Sequence, residues 1–215
     1  MKRFCCVLAV AVCLAVMCPA FASDSDYTYL TGKFEDGVYT NQTLGAEAHF
    51  GGNWHALSRK DIAALDAAAS QSMANLSYPT LEELTNGELP VFYVVTNDFS
   101  DRVYISISNV GAVFVDFMTN PDIKAVADGI IKDIADGIVK NNADMGLESE
   151  GKAIRMNFLG AEQPGLYIKT TVDKRATMYQ KQIMCFKDKY QFIITVESMR
   201  RDITDELLAM FKKAN

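Results

Sequence analysis

Apolar and polar residues alternate between Gly165 and Ser198, in three runs separated by short charged links. A period of two is typical of a strand that buries one of its faces. The first run places Leu166 and Ile168 on one face, and the last run does the same with Phe192 and Ile194. The stretch therefore predicts a three-stranded antiparallel meander with half-buried outer strands and hairpin turns at the charged links.

The middle run of this meander carries apolar residues on both faces. Met178, Met184 and Phe186 share one face, and Tyr179, Ile183 and Cys185 share the other. A strand that is apolar on both faces is typical of a sheet interior with layers packed on both sides. We therefore expect the sheet to be covered on both faces at this strand.

Earlier segments also carry strand patterns bounded by turn residues. They are Val38 to Trp54, a hairpin with Gly45 inside it; Val91 to Ile107, a hairpin that turns at Asn97 to Asp101; and Ala153 to Leu159, a single strand that leads into the meander. Val91 to Val95 is continuously apolar, which favours an interior strand. Val113 to Met118 is apolar too, but its pattern leaves strand and loop open.

A long amphipathic helix is the clearest helical prediction. Asn120 suits the N-cap and Pro121 the first helical position, and Asn141-Asn142 ends the pattern. Between them, apolar residues recur at three- and four-residue spacing: Ile123, Val126, Ala127, Ile130, Ile131, Ile134, Ala135, Ile138 and Val139. Such a stripe needs an apolar surface opposite it, so we expect Ile130, Ile134 and Ile138 to be buried against the sheet. We interpret Gly129 and Gly137 as allowing a close approach to that sheet.

Three shorter helical segments have weaker signals. Ser58 to Asp61 resembles a capping box and starts a predicted helix over Arg59 to about Met73. Pro79 to Glu83 predicts a single short turn of helix. A closing helix is predicted from Asp205 to about Lys213, with Thr204 as its cap.

The N-terminus predicts an export signal. Lys2 and Arg3 precede an apolar run from Phe4 to Cys18, and Ala20-Phe21-Ala22 places small residues at the two positions that a signal peptidase reads. The run is short for a membrane span, which favours a cleaved signal over a retained anchor. We therefore expect cleavage after Ala22 and a periplasmic or extracellular protein.

Cleavage changes the cysteine content and the charge. Four of the five cysteines lie within residues 1–22, so Cys185 alone would remain and no internal disulfide could form. The formal net charge moves from −6 to −8 because Lys2 and Arg3 leave. An acidic exported protein is a poor match for nucleic acid or for anionic lipid surfaces, so neither is expected as a partner.

The chain of 215 residues is long enough for one domain with a substantial core. Residues 23–36 are polar and predict a loose lead-in, and residues 37–215 predict a single α+β domain. No stable membrane insertion is expected once the signal is removed.

The order of predicted elements resembles that of a known group of proteins. The order is hairpin, helix, hairpin, long helix, meander and closing helix. Together with Tyr39, Asn41, Leu44 and Gly45 in the opening VYTNQTLG, and with Trp54 after a glycine-rich turn, it resembles the PsbP-like fold. This group includes the extrinsic PsbP protein of photosystem II, a Ran-binding nuclear import factor and DcrB-type bacterial envelope proteins. The resemblance covers roughly Gly37 to the C-terminus.

The resemblance implies an α+β fold in which an antiparallel sheet is flanked by helices on both faces, an α/β/α sandwich. It also implies a scaffold that binds partners, without catalytic residues shared across the group. In such proteins an aromatic residue usually follows the glycine and a proline precedes the tryptophan. Ala46 and Gly51-Gly52 stand at those places here, so the register of the first hairpin stays open.

Cys185 is one residue that could carry chemistry. A catalytic thiol needs a nearby base and a partly open, electropositive setting. Cys185 instead lies mid-strand between Met184 and Phe186, which favours a buried structural thiol.

His49 and His55 are the two histidines of the chain, and with Trp54 they mark a possible binding surface. Glu47 shares a strand face with His49, which makes a small metal site geometrically possible. Zinc needs three or four good ligands, and the chain has no His-x-x-x-His or His-Glu-x-x-His pattern. We therefore predict no metal and no cofactor.

Two functions are carried forward from these patterns. The first is an exported, non-catalytic binding or assembly module of the bacterial cell envelope, whose partner is an unknown envelope protein or small ligand. The alternative is a small hydrolase that uses Cys185 or a site near His49, His55 and Trp54. Two or more of Cys185, His49 and His55 within hydrogen-bond reach would favour the hydrolase.

Overall fold

A computed structural model describes residues 29–58, 61, 89–172 and 176–214 of the chain. Three α-helices and eleven strands have bounds within these ranges. The helices are α1 (Ala112–Thr119), α2 (Lys124–Asp144) and α3 (Thr204–Leu208). The strands are β1 (Lys33–Glu35), β2 (Val38–Asn41), β3 (Ala46–His49), β4 (Trp54–Ala56), β5 (Leu89–Thr96), β6 (Asp101–Asn109), β7 (Glu148–Phe158), β8 (Ala161–Val172), β9 (Ala176–Lys187), β10 (Tyr190–Ser198) and β11 (Phe211–Lys213).

The alternating runs of the sequence pair into a seven-stranded antiparallel sheet with the order β4-β5-β6-β10-β9-β8-β7. The predicted meander is β8, β9 and β10, and the hairpin predicted before it is β5 and β6. The second strand of that hairpin lies beside β10, with Ile105 opposite Ile194. Pairing of strands that carry apolar residues on the same face makes one continuous apolar surface.

The predicted first hairpin is β2 and β3, and it lies in a second, four-stranded sheet with the order β1-β2-β3-β11. Its register is now fixed, because Asn41 lies opposite Ala46 and Val38 opposite His49. The loose lead-in predicted over residues 23–36 is wrong at residues 33–35, which form β1. The ring of Phe34 packs 5.5 Å from the ring of Phe92, and this contact ties β1 to the larger sheet.

Tyr39 and Asn41 of the first hairpin hold the chain that precedes it. The Asn41 amide donates to the Leu30 carbonyl at 2.7 Å, and the Tyr39 hydroxyl donates to the Thr31 carbonyl at 3.0 Å. Asn41 also accepts from the backbone N–H of Leu44 at 2.8 Å, which closes the hairpin turn. Tyr39 and Asn41 are each 1% exposed, so their polar groups stabilise the fold through these internal hydrogen bonds.

The C-terminal segment differs from its prediction. The helix predicted to about Lys213 ends at Leu208, and β11 then pairs with β3. Thr204 does not cap the helix, because its amide and hydroxyl both donate to the Asp202 carboxylate, at 3.2 and 2.6 Å. The ring of Phe211 lies 5.7 Å from that of Phe158 in the core, and burying this ring favours the turn that ends the helix.

The segment left open between strand and loop is the helix α1. Gly111 precedes it with φ of 80°, a backbone conformation that suits glycine and ends the path of β6. Val115 and Met118 follow at three-residue spacing, and both are buried. Packing of one helical face therefore overrides the β-branched composition of the segment.

The two faces of the large sheet have different covers in the described part of the chain. Helices α1 and α2 cover one face, in a cluster with Leu166, Ile168 and Met184. The four-stranded sheet covers the other, with Leu207 and Leu208 of α3 in the same cluster. The fold is α+β as predicted, and β9 is covered on both sides. Among the described residues the second face is covered chiefly by the small sheet, so the prediction of helices flanking both faces is not confirmed.

Helix α2 packs through a narrower stripe than predicted. Asn120 accepts from the Asp122 N–H at 2.9 Å, and a 3₁₀ turn over Pro121–Ile123 leads into the helix. The helix buries Ala127, Ile131, Ala135, Ile138 and Asn142. The burial predicted for Ile138 is confirmed, whereas Ile130 and Ile134 are partly buried at the margin.

The close approach to the sheet comes from the strand and not from the helix. A Cβ at Gly129 or Gly137 would meet no atom of the described residues within 4 Å, so the interpretation that these two glycines allow a close approach to the sheet is wrong. A Cβ at Gly151 of β7 would lie 2.7 Å from a Val139 methyl carbon and 3.2 Å from the Ala135 carbonyl oxygen. Gly151 therefore sets how near α2 lies to β7.

Several predictions fall outside the described residues. These are the export signal with its cleavage site, the helix over Arg59 to Met73 and the turn at Pro79 to Glu83. The capping interaction predicted between Ser58 and Asp61 is present, because the Ser58 hydroxyl donates to the Asp61 carboxylate at 2.5 Å and accepts from the Asp61 N–H at 3.2 Å.

Candidate functional site

A polar cleft of about 430 Å³ opens where β5 and β10 end and β6 begins. Each strand contributes a residue to it: Thr96 from β5, Asp101 from β6 and Ser198 from β10. Ser198 lies directly opposite Asp101 in the strand register. The floor of the cleft therefore rests on the sheet and not on a free loop.

The turn between β5 and β6 is held by the carboxylate of Asp98. One oxygen of Asp98 accepts from the Thr96 hydroxyl at 2.9 Å, and from the hydroxyl and amide of Ser100 at 2.8 and 3.1 Å. The other oxygen lies 2.8 Å from the guanidinium of Arg200. The hydrogen bonds from Ser100 hold the pKa of Asp98 at about 2, so this group is ionised at neutral pH.

Two further charged groups of the cleft, Asp101 and Arg201, have fewer or longer contacts than Asp98. The carboxylate of Asp101 accepts from the Ser100 hydroxyl at 3.2 Å, and it has no ion pair among the described residues. The guanidinium of Arg201 lies 4.0 Å from the Glu206 carboxylate, on the exposed surface. Both groups can therefore form hydrogen bonds with a ligand.

Ser198 is the unusual member of this floor. Its side chain is fully buried, and its hydroxyl has no hydrogen-bond partner among the described residues. Leaving a buried hydroxyl unsatisfied costs about 1–3 kcal/mol. A ligand that hydrogen-bonds to this hydroxyl would remove that cost on binding.

The outer side of the same turn presents an aromatic ring. Phe99 has φ of 57°, a left-handed conformation that is uncommon for a bulky residue, and its side chain is 54% exposed. Its amide donates to the Thr96 carbonyl at 2.8 Å, so the turn holds the ring outward. The His55 ring packs edge-on against Phe99 at 5.7 Å and contacts the side-chain oxygen of Asn97 at 3.3 Å.

The three residues of the predicted binding surface are placed differently. His55 lies beside the cleft through its contact with Asn97, which lines it. Trp54 precedes it on the opposite face of β4, partly buried, with its ring 5.5 Å from that of Phe50. His49 lies in the small sheet and bonds to Glu47 at the surface. The surface formed by Trp54, His49 and His55 stays a prediction.

Cys185 lies in the core between the two sheets and is 5% exposed. Burial raises the pKa of its thiol to about 12, so the neutral thiol dominates at physiological pH. His49 bonds to Glu47 and His55 to Asn97, so neither of these hydrogen bonds joins a histidine to Cys185. The condition that would favour the hydrolase is therefore not met by these contacts.

A second polar group was missed on the other face of β10. The last run of the meander was expected to be half-buried, yet Thr195 and Glu197 on its polar face are both buried. The Glu197 carboxylate accepts from the Gln180 amide at 2.9 Å and lies 3.5 Å from the Arg102 guanidinium. Burial raises the pKa of Glu197 above its usual value, against the opposing effect of Arg102.

The cleft was not predicted from the sequence. Its residues come from the Asn97 to Asp101 turn, from the end of the last strand and from Arg200-Arg201 beyond it. The turn was identified, but nothing local joins it to residues about a hundred positions away. Within the described ranges, no three His, Cys, Asp or Glu side chains cluster in an arrangement that could hold a metal ion.

Comparison with known proteins finds a likeness in structure. No family model matches the chain, and no curated protein matches it. Among solved structures, the chain is similar to cyanobacterial PsbP from Synechocystis sp. PCC 6803, with 13% identity and a TM-score of 0.46, over 81% of this chain and 89% of that one. This likeness says nothing about what the chain binds, and the DcrB-type part of the resemblance stays a prediction.

In the part of the chain that the structure describes, no helix has the length and apolar character needed to cross a membrane.

Proposed function

We propose that the protein is an exported, non-catalytic binding module of the cell envelope, and that the cleft at the ends of β5, β6 and β10 is its recognition site. The observation that carries this proposal is Ser198, a residue of the floor of a preformed polar cleft, whose buried hydroxyl has no partner in the described part of the chain. Buried polar groups in folded proteins are almost always hydrogen-bonded, and an exception at a cleft favours a ligand site.

The rigidity of the cleft supports recognition. The β5–β6 turn is fixed by four contacts to Asp98, including the ion pair with Arg200. A site that is already ordered loses little conformational entropy when its ligand binds. Phe99 is held outward at the same turn, and exposed aromatic rings are enriched at interaction surfaces.

Export is supported by the sequence pattern at the N-terminus. The basic residues Lys2 and Arg3, the apolar run and Ala20-Phe21-Ala22 together favour a cleaved signal. Sequencing the N-terminus of exported protein tests this part. A start at Ser23 is expected, and retention of residues 1–22 would contradict it.

The binding function is tested by capture from an envelope extract. Protein purified from exported material is immobilised, and the bound proteins and small molecules are identified by mass spectrometry. The cleft variants are Asp101→Asn and Arg201→Ala. The matched control is Asp116→Asn, which removes an exposed carboxylate from α1, outside the cleft.

We expect at least one component to be enriched about tenfold or more on the wild type and the control relative to both cleft variants. Equal capture by all four proteins, or capture by none, would contradict the proposed site. The hydrolase alternative is tested with an activated ester such as p-nitrophenyl acetate. Hydrolysis by the wild type that is lost in folded Cys185→Ser would favour the enzyme instead.

A further inference from the structure

We propose that the cleft binds a neutral, polyhydroxylated ligand, namely a saccharide unit. This inference rests on the proposed function and adds the chemical class of the ligand to it. It is argued from the charges of the cleft, from the hydrogen-bonding groups left open in it and from its size.

The charges that line the cleft cancel. Asp98 and Asp101 are opposed by Arg200 and Arg201. Asp98 and Arg200 neutralise each other directly at 2.8 Å. An anionic ligand would meet Asp101, and a cationic ligand would meet Arg201. A neutral ligand avoids both repulsions, and the cleft is therefore better matched to it than to either kind of ion.

The groups left open in the cleft include both donors and acceptors. Asp101 offers a carboxylate that accepts, and Arg201 and the Asn97 NH₂ group offer N–H groups that donate. The amide of Asn53 does both. The Ser198 hydroxyl is buried, and no described residue hydrogen-bonds to it. A ligand hydroxyl donates and accepts at once, so adjacent hydroxyls on a sugar ring can satisfy a carboxylate, an amide and a guanidinium together.

The size of the cleft and the one apolar residue among its described lining residues agree with this class. Its volume of about 430 Å³ lies in the range of roughly 300–1,000 Å³ that small-ligand sites occupy. Ile203 provides the apolar contact that the C–H face of a sugar ring can cover. A zwitterionic amino acid would use Asp101 and Arg201 but would leave most of the neutral hydrogen-bonding groups unused.

The test is ligand-observed NMR with named probes, followed by calorimetric titration of those that bind. The saccharide probes are glucose, galactose, mannose, N-acetylglucosamine, maltose and cellobiose. The competing probes are inorganic phosphate for anions and alanine for zwitterions. The protein variants are Asp101→Asn and Ser198→Ala, with Asp116→Asn as the control and circular dichroism to verify folding.

We expect at least one saccharide to bind with a Kd in the millimolar range or tighter. Asp101→Asn and Ser198→Ala should each raise that Kd at least tenfold, and Asp116→Asn should leave it within twofold. Two variants are used so that loss of folding in one does not remove the test. A saccharide whose Kd is the same in all variants is bound elsewhere, and this outcome overturns the proposal.

Failure of the ligand class is distinguishable from failure of the proposed function. Binding of phosphate or alanine without any saccharide overturns the class and leaves a binding cleft. Absence of saccharide binding, together with envelope capture that Arg201→Ala abolishes, also overturns the class and keeps the function. Absence of saccharide binding, with capture that no cleft variant changes, overturns both.

Discussion

Ile131 provides the sharpest test of how the long helix is packed. Its side chain is 1% exposed at the centre of the α2 stripe, in one cluster with Leu166, Ile168 and Met184 of the sheet. Replacing a large buried aliphatic side chain with alanine costs about 2–5 kcal/mol, and the cost rises with the cavity that remains. Since Ile131 is enclosed by helix and sheet, we expect Ile131→Ala to cost about 3–5 kcal/mol.

Two positions on the same helix serve as graded controls. Ile134 is partly buried at the margin of the stripe, so Ile134→Ala should cost about half as much, or about 1.5–2.5 kcal/mol. Val126 is 55% exposed, and Val126→Ala should change the free energy of unfolding by no more than about 0.5 kcal/mol. The three variants make similar chemical changes and differ mainly in burial.

The measurement is urea unfolding followed by circular dichroism, with the four proteins compared at one pH. With a slope of about 2 kcal/mol per molar urea, the midpoint for Ile131→Ala should fall by about 1.5–2.5 M. The slope itself should stay unchanged, because all variants expose similar surface on unfolding. If Ile131→Ala and Val126→Ala have the same midpoint, the stripe is not packed against the sheet and the reasoning is wrong.

Three further predictions follow from glycine placement and burial. Gly151→Ala should destabilise the protein by about 1–3 kcal/mol, because the new Cβ would meet the Val139 methyl carbon at 2.7 Å. Gly129→Ala, where a Cβ meets no described atom within 4 Å, should stabilise the protein by about 0.4–1 kcal/mol. Changes of the same sign for both variants in urea melts would contradict this prediction. Burial raises the pKa of the Cys185 thiol, so a thiol reagent should label Cys185 slowly in the native protein at pH 8 and rapidly in urea. The labelling is measured by mass spectrometry of the peptide that contains Cys185. Rapid labelling of the native protein would contradict the burial of this residue. Burial raises the pKa of Glu197, so its contribution to stability is full below the unfolded pKa of about 4.3 and is lost as the pH rises through the folded value. Glu197→Gln, which cannot ionise, should therefore lose less stability than the wild type between pH 4 and 8, and parallel stability curves would refute the raised pKa.

Periodic patterns were enough to predict most of the large sheet. The alternation at Leu166 and Ile168, and again at Phe192 and Ile194, marks the buried faces of β8 and β10. A period of two records which side of a strand is buried, whatever covers it. The same reasoning applies to α2, where three- and four-residue spacing predicted the helix without its partner.

Element ends and short elements were decided by contacts that are distant in sequence. The segment around Val115 forms a helix, and Phe211 lies in β11 and not in the predicted helix. Neither choice is recorded in the local pattern. In both cases the burial of a few side chains against the sheets outweighs small differences in propensity.

The candidate site shows the same limit more strongly. The sequence drew attention to Cys185 and His49, because these residue types carry chemistry in many proteins. The structure places Cys185 in the core and His49 at the surface of the small sheet, where His49 bonds to Glu47 and not to Cys185. Asp101 and Ser198 looked ordinary in the sequence and lie opposite each other in the cleft.

The sequence by itself determined the strand-rich character of the chain, its long amphipathic helix and its acidic charge, because these depend on composition and on short-range periodicity. The tertiary structure alone decided which elements cover each sheet face and where the C-terminal helix ends. It also decided that one cleft is lined by Asp98, Asp101, Ser198 and Arg201. The physical reason is that burial and hydrogen-bond satisfaction depend on what lies opposite a side chain. That neighbour is set by strand pairing across about a hundred residues, and local patterns carry no record of it.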